Sequence, residues 1–275
     1  MHLSYDRMTS FLSPYENPDA LKVARGIGFE GRKTAQQCRG RVNFTLYPNG
    51  LKARKDEHGF RRDQSTDTAL VHDAIDLSRS LLEPFLFNHV MRSWLFGIVL
   101  AESAAIAPDA ELLAVAAILH DLGLTERYNG ENRFEVDGAN AAREFLKERG
   151  ISAQQTQLVW DAIALHTTPT LALHKEPEVV MTHSGIAVDV LGAGLDRISR
   201  EKQQAILTAF PRLAFKDGFK GCLCNVVRQK PMTAVDNILR DFGIRYVEGF
   251  APPNFADLVA GAPFSEYLKL HDESG

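Results

Sequence analysis

ELLAVAAILHDLG, residues 111–123, decides the fold of this chain. Positions 112–119 are apolar without a break, so a helix through them has no polar face and must be enclosed by other helices. The reading is a buried helix over 109–122 that stops at Gly123. It ends in a charged pair, His120-Asp121.

Two other stretches share this character. EPFLFNHVMRSWLFGIVLAES, residues 83–103, carries His89, and EVVMTHSGIAVDVLG, residues 178–192, carries Asp189. Carboxylates and imidazoles are costly to leave unpaired in apolar surroundings. Two imidazoles and two carboxylates converging on one divalent cation remove that cost and create an electrophilic centre. His89, His120, Asp121 and Asp189 are therefore the candidate metal ligands. Adjacent helix residues project about 100° apart, so His120 and Asp121 can both reach an ion beyond the helix end. A single buried histidine is more often a hydrogen-bonded core residue, so the weight rests on the four together.

The chain supplies its own control, because His-Asp also occurs at 72–73 and 271–272. The first copy lies on VHDAIDLSRS, an amphipathic stretch where both residues can face water, and the last lies in a polar tail. Only the copy at 120–121 follows a run apolar on all sides.

Outward from this centre the pattern is helical. Thr66 or Asp67 can cap a helix running to Leu82, and Pro84 opens a helix over 84–107. Further helices are read at 134–149, 152–165, 176–191, 198–210 and 232–241. Residues 1–66 are turn-rich, and RVNFTLYPNGLKARK (41–55) reads as two short extended runs around Asn49-Gly50, a hairpin signal. The tail, 246–275, is rich in Pro, Gly and Phe and reads as irregular. The fold class is mainly all-α, a helical bundle around a metal site.

Composition excludes several functions. A net charge of -4, with no basic run interleaved with aromatics, argues against nucleic acid as a partner. The longest apolar run, 94–101, is too short for a bilayer, which needs roughly 20 residues. No basic segment followed by an apolar one opens the chain, and Cys38, Cys222 and Cys224 form no disulfide framework; both fit a cytoplasmic location. The expected partner is a small molecule, and a homo-oligomer is compatible with a helical protein of this size.

The order His, His-Asp, Asp on buried helices resembles the HD-domain superfamily of metal-dependent hydrolases. More narrowly, FNHVMRSWLFG, AAILHDLGLT, FEVDGANAAREFL, AIALHT and IAVDVLG are similar to its cyanamide hydratase branch. The resemblance implies an HD domain over 67–245, with 1–66 an N-terminal extension packed on it. It also implies that His89, His120, Asp121 and Asp189 bind one divalent ion: zinc is expected, with iron and manganese as alternatives. The implied reaction adds metal-activated water to a small C–N substrate, cyanamide to urea being the family example. The HDxGK and Gly-Tyr-Pro signatures of cyclic-di-GMP phosphodiesterases are absent, and so are the extra histidines of dGTP triphosphohydrolases.

Hydrating a nitrile also needs proton transfer near the metal. Candidates come from TERYNGENRFEVDGA (125–139), with Glu126, Tyr128, Glu135 and Asp137, and from ALHTTPT (164–170), with His166 and Thr167. Asn88, next to His89, can hydrogen-bond a substrate. For Glu135 a plain alternative is a capping box with Asn132; for Asp137 it is the helix dipole. His183, six positions before Asp189, is read as packing. Two rival functions make their own predictions. A phosphohydrolase needs cations such as Arg92, Arg127 and Arg133 converging on the metal, and a structural metal site would have no open position.

Overall fold

The computed structural model describes residues 66–263. It is all-α: no strand occurs among the described residues, and the hairpin expected at 41–55 lies outside them. No helix among them is long and apolar enough to cross a membrane. The chain divides between Phe219 and Lys220 into two compact units.

The first unit is assembled around α3 (Ala110–Leu119), whose residues 112–119 are all buried. Asp109 caps it by accepting from the Leu112 N–H at 3.0 Å, and the Asp109 N–H is itself held by Glu178 Oε1 at 2.6 Å. Around α3 pack α1 (Ala69–Leu81), α2 (Pro84–Ala104), α4 (Phe134–Glu148), α5 (Ala153–Ala164) and α7 (Pro177–Leu191), with the short α6 (Pro169–Ala172) before α7. The α1 cap is Thr68, accepting from Val71 N–H, rather than Thr66 or Asp67. A buried Ser78 hydroxyl donates to the Ile118 carbonyl at 2.8 Å and ties α1 to α3.

Two glycine contacts set the spacing that matters for the site. A Cβ on Gly185 of α7 would lie 2.1 Å from the Ser93 carbonyl of α2, and one on Gly97 of α2 would lie 2.9 Å from the Met181 carbonyl. Helix-interior glycines cost about 1 kcal/mol relative to alanine; here they let α2 and α7 cross at backbone contact. The turn after α3 is held the same way, since a Cβ on Gly123 would overlap the Phe134 carbonyl of α4 at 1.9 Å. That turn is a 3₁₀ segment, Leu122–Leu124, so the α-helix ends at Leu119 and not at 122.

α8 (Arg200–Ala209) leads into α9 (Phe215–Gln229), a helix not foreseen from the sequence. Its apolar residues 215, 219, 223, 226 and 227 keep helical spacing, but Gly218 and Gly221 obscure the pattern. The second unit holds α10 (Leu239–Tyr246) and α11 (Phe255–Ala260). Within it Arg240 Nη1 binds the carbonyls of Val235 and Pro253 at 2.7 and 3.2 Å. The tail read as irregular therefore includes one short helix, α11, capped by Asn254. The helix expected over 232–241 begins only at Leu239, after a 3₁₀ turn, Pro231–Ala234.

Candidate metal centre

His89 comes from the middle of α2 and is fully buried. Its Nδ1–H donates to Asp189 Oδ2 at 2.6 Å, which leaves Nε2 as the free lone pair. His120 closes α3 in a helical conformation, and its Nδ1 lies 2.7 Å from the Ala117 carbonyl. A carbonyl only accepts, so Nδ1 carries the hydrogen and Nε2 is again free. Asp121 leaves the helix (φ -97°, ψ 11°), turning its carboxylate toward both imidazoles.

The three donor atoms converge. Asp121 Oδ2 lies 3.3 Å from His120 Nε2 and 3.6 Å from His89 Nε2, and all three fall within 4.8 Å of one another. Ligands at about 2.1 Å from a tetrahedral ion are about 3.4 Å apart. His89 Nε2, His120 Nε2 and both Asp121 oxygens are buried with no hydrogen-bond partner. Buried polar atoms are rarely left so, and one divalent cation would satisfy all of them.

The HD family matches residues 86–200, a segment that includes His89, the His120-Asp121 pair and Asp189. HD domains are generally metal-dependent hydrolases. No curated protein matches the chain at a significant level.

Within the matched segment Asp189 sits on the far side of His89, outside the cluster of three donors. Arg92, wholly buried, grips it with Nε on Oδ1 at 2.7 Å and Nη2 on Oδ2 at 2.8 Å. Arg212 Nη1 adds bonds to the Asp189 carbonyl (2.9 Å) and Oδ1 (3.0 Å). Burial pushes the Asp189 carboxyl up, but His89 and Arg92 outweigh it and hold the group well below the usual carboxylate range. Asp189, expected as a fourth ligand, thus meets His89 through Nδ1 and is not among the three converging donors. A carboxylate accepting from the second ring nitrogen of a metal-binding histidine fixes its tautomer and orientation.

The ionisation of the three donors follows from the same packing. Burial lowers the His89 imidazole, and the Asp189 and Asp121 carboxylates only partly offset it. For His120 burial also pulls down, but Asp121 and the Ala117 carbonyl together turn the shift upward. Burial would raise Asp121, yet the histidines around it bring its pKa down to about 2.

Of the other expected site residues, His166 lies against His120. It ends α5 with its ring 4.8 Å from that of His120, and its Nδ1–H donates to the Ile163 carbonyl at 2.6 Å. Burial, reinforced by His120, lowers its pKa to about 4, so it is neutral with Nε2 free. Glu135 is not part of a capping box. The first helical residue of α4 follows Arg133, and Asn132 donates instead to Asp137 Oδ1 at 3.0 Å. Glu135 turns inward to full burial and accepts from Thr167 Oγ1 at 2.5 Å and Arg133 Nη2 at 2.9 Å. Burial raises the Glu135 carboxyl, but Arg133, His166 and Thr167 bring it below the ordinary value. Asp137 is buried against Gly130 and Asn132. Asn88 donates to the Pro211 carbonyl at 2.8 Å, and Tyr128 packs at the edge of the core beneath Arg127.

One residue escaped the sequence reading. The buried His183 donates Nδ1–H to the His166 carbonyl at 2.7 Å, and so fixes the backbone that carries His166. Only its place on an otherwise apolar face hinted at such a role. The control pair at 72–73 lies at the surface: His72 bonds the exposed Asp67 at 3.0 Å and Asp73 bonds Arg149 at 2.8 Å; the pair at 271–272 lies outside the described residues.

Proposed function

We propose that this protein is a metal-dependent hydratase or hydrolase that adds water to a small, neutral C–N substrate, cyanamide to urea being the reaction to test first. One observation carries the reading: among the described residues neither an arginine nor a lysine pairs with the buried Asp121, which faces only the two imidazoles. Asp189 is paired with Arg92 and Arg212, and Glu135 with Arg133. The charge that Asp121 and two lone-pair nitrogens call for is that of a metal ion. His89, His120 and Asp121 would hold a divalent ion, whose chemistry there would be to lower the pKa of water and polarise a nitrile or carbonyl.

The chain's own groups can do the rest. His166, neutral with its Nδ1–H committed to Ile163, offers Nε2 as a proton acceptor beside the ligands. Glu135, ionised and fixed by Thr167 and Arg133, can stabilise the proton once His166 holds it. His183 holds the His166 backbone in place for that exchange. Asp189 holds the His89 ring. A phosphate ester would call for cations facing the metal; Arg92 is committed to Asp189, Arg133 binds Glu135, and Arg127 lies over Tyr128 at 5.2 Å. That arrangement favours a neutral substrate. Zinc suits the donor set best, and iron or manganese follow.

The test is elemental analysis of purified protein beside His120→Ala, each assayed for urea from cyanamide. About one metal ion per chain in the wild type, lost with activity in the variant, supports the proposal. Metal without urea turns the search to other nitriles, amides and phosphate esters. A folded wild type that takes up no zinc, iron or manganese overturns it.

A further inference from the structure

His89, His120 and Asp121 are at most 1% exposed, so any reactant reaches them only when a wall of the site moves. The helical walls are locked: α2 meets α7 at Gly97 and Gly185, and the turn after Asp121 meets α4 at Gly123 and Gly138, each at backbone contact. Residues 210–219, which join α8 to α9 and form the first turn of α9, are held differently. They lie beyond the matched HD segment.

Polar bonds clamp this strap from beneath. Arg92 Nη1 holds the carbonyls of Phe210 (3.0 Å) and Pro211 (3.1 Å), and Asn88 holds Pro211 as well. Arg212, its side chain 35% exposed, bonds back onto Asp189. The next two residues, Leu213 (φ 47°) and Ala214 (φ 57°), are consecutive non-glycine residues in the left-handed region, and both face solvent. Such conformations persist only when surrounding contacts impose them, and they collect at sites that switch. The strap then delivers Phe215, 2% exposed, whose ring lies 4.6 Å from that of His89. Phe219 stacks on Phe215 at 5.0 Å, and the Arg212 guanidinium covers it at 4.9 Å.

We infer that residues 210–219 are the gate of the metal centre, with Arg212 as its latch and Phe215 as the plug over His89. This rests on the reading that a small reactant reaches the His89–His120–Asp121 cluster. Release of Arg212 from Asp189 lets the strained backbone relax and carries Phe215 off the imidazole, while the glycine-locked helices stay in place.

The test uses the full chain. Chelator-treated protein is exposed to diethylpyrocarbonate, and carbethoxylation of His89 and His120 is followed by peptide mass spectrometry. The exposed His72 is the internal standard. Arg212→Gln and Phe215→Ala should each speed modification of both buried histidines at least tenfold with His72 unchanged. Arg212→Lys, which keeps the charge but not the reach, should fall between. Asn254→Ala, which removes the α11 cap outside the site, should leave the rates at the wild-type level. Unchanged rates in the properly folded Arg212 variants, or acceleration by Asn254→Ala alone, would overturn the gate. The comparison needs no bound metal, so a wild type that fails to bind metal defeats the metalloenzyme reading while the gate is still decided. Where metal is bound, its extraction by a chelator should quicken in the same variants.

Discussion

Asp189→Asn separates two things that this carboxylate does. It neutralises Arg92, a guanidinium with no exposed surface, and it holds His89 Nδ1 at 2.6 Å. Taking one partner from a buried ion pair costs about 3–5 kcal/mol, because the other charge stays behind uncompensated. Arg212 adds little to that figure, since its side chain is 35% exposed and water can replace Asp189. Metal-free Asp189→Asn should therefore lose about 3–5 kcal/mol in urea denaturation, a large share of the stability of an ordinary domain. Replacing the whole pair with Arg92→Met and Asp189→Leu removes the orphaned charge. It still strips Arg92 from the Phe210 carbonyl, and an unsatisfied buried carbonyl costs about 1–3 kcal/mol. The double variant should thus regain part of the loss and settle about 1–3 kcal/mol below wild type.

Metal affinity should follow a different order. Loss of a partner that orients a metal-binding histidine weakens binding about 10–100-fold; the double variant loses the acceptor outright, whereas the amide oxygen in Asp189→Asn can still accept from His89 Nδ1, so its loss should be the smaller. Competition against a chromophoric chelator measures this. A single variant as stable as wild type would refute the buried pair. Affinity lost by more than about 10⁴-fold would make Asp189 a direct ligand, in line with the sequence resemblance and against the geometry described above.

Three further outcomes are expected. Gly185→Ala should destabilise by about 1–3 kcal/mol, since its Cβ would meet the Ser93 carbonyl and force α2 from α7; Gly221→Ala, exposed in α9 with open space around its Cβ, should instead gain up to about 1 kcal/mol. An unchanged Tm for Gly185→Ala would contradict the tight crossing. Ala214→Gly should raise Tm, because relief of a left-handed alanine, about 1–2 kcal/mol, exceeds the added freedom of the unfolded chain, about 0.4–1 kcal/mol; a fall would show that the strain is absent. Metal-free protein should lose stability as pH drops from about 6.5 to 4. In that window an unfolded histidine takes a proton that His166, with its pKa at about 4, refuses. The loss amounts to about 3 kcal/mol, and His166→Gln should flatten the slope; identical slopes in both proteins would remove His166 as its source.

The convergence of His120 and Asp121 at the end of a buried helix was legible because it depends on local facts. An unbroken apolar run ending in His-Asp can only be a buried helix with its polar pair at the exit, and 109–122 proved to be that helix apart from its 3₁₀ last turn. The partners of those groups were not legible, because they depend on how helices cross. Nothing in the spacing of Arg92 and Asp189 says that they meet; that follows from the Gly97–Gly185 contact, which brings α2 and α7 together and lets a bidentate pair form on the far face of His89. The capping-box alternative for Glu135 fails for a related reason. A capping box is a local rule, and it yields when a half-buried threonine hydroxyl and an arginine offer the carboxylate a better environment.

α9 was hidden by its glycines, and with it went the site's most informative neighbour. Gly218 accounts for the difficulty: a Cβ there would lie 2.7 Å from the Phe85 ring of α2. The residue that lowers helix propensity is thus the one that lets α9 approach α2 and set Phe215 over His89. Sequence signals fail here where packing overrides propensity. At these same positions a buried cation pair, two left-handed residues and an aromatic plug gather around one imidazole. With His89, His120 and Asp121 at most 1% exposed, the proposed gate requires that loosening Arg212 speed access to them, and modification rates that do not change would leave the left-handed pair and the Phe215 contact as packing alone.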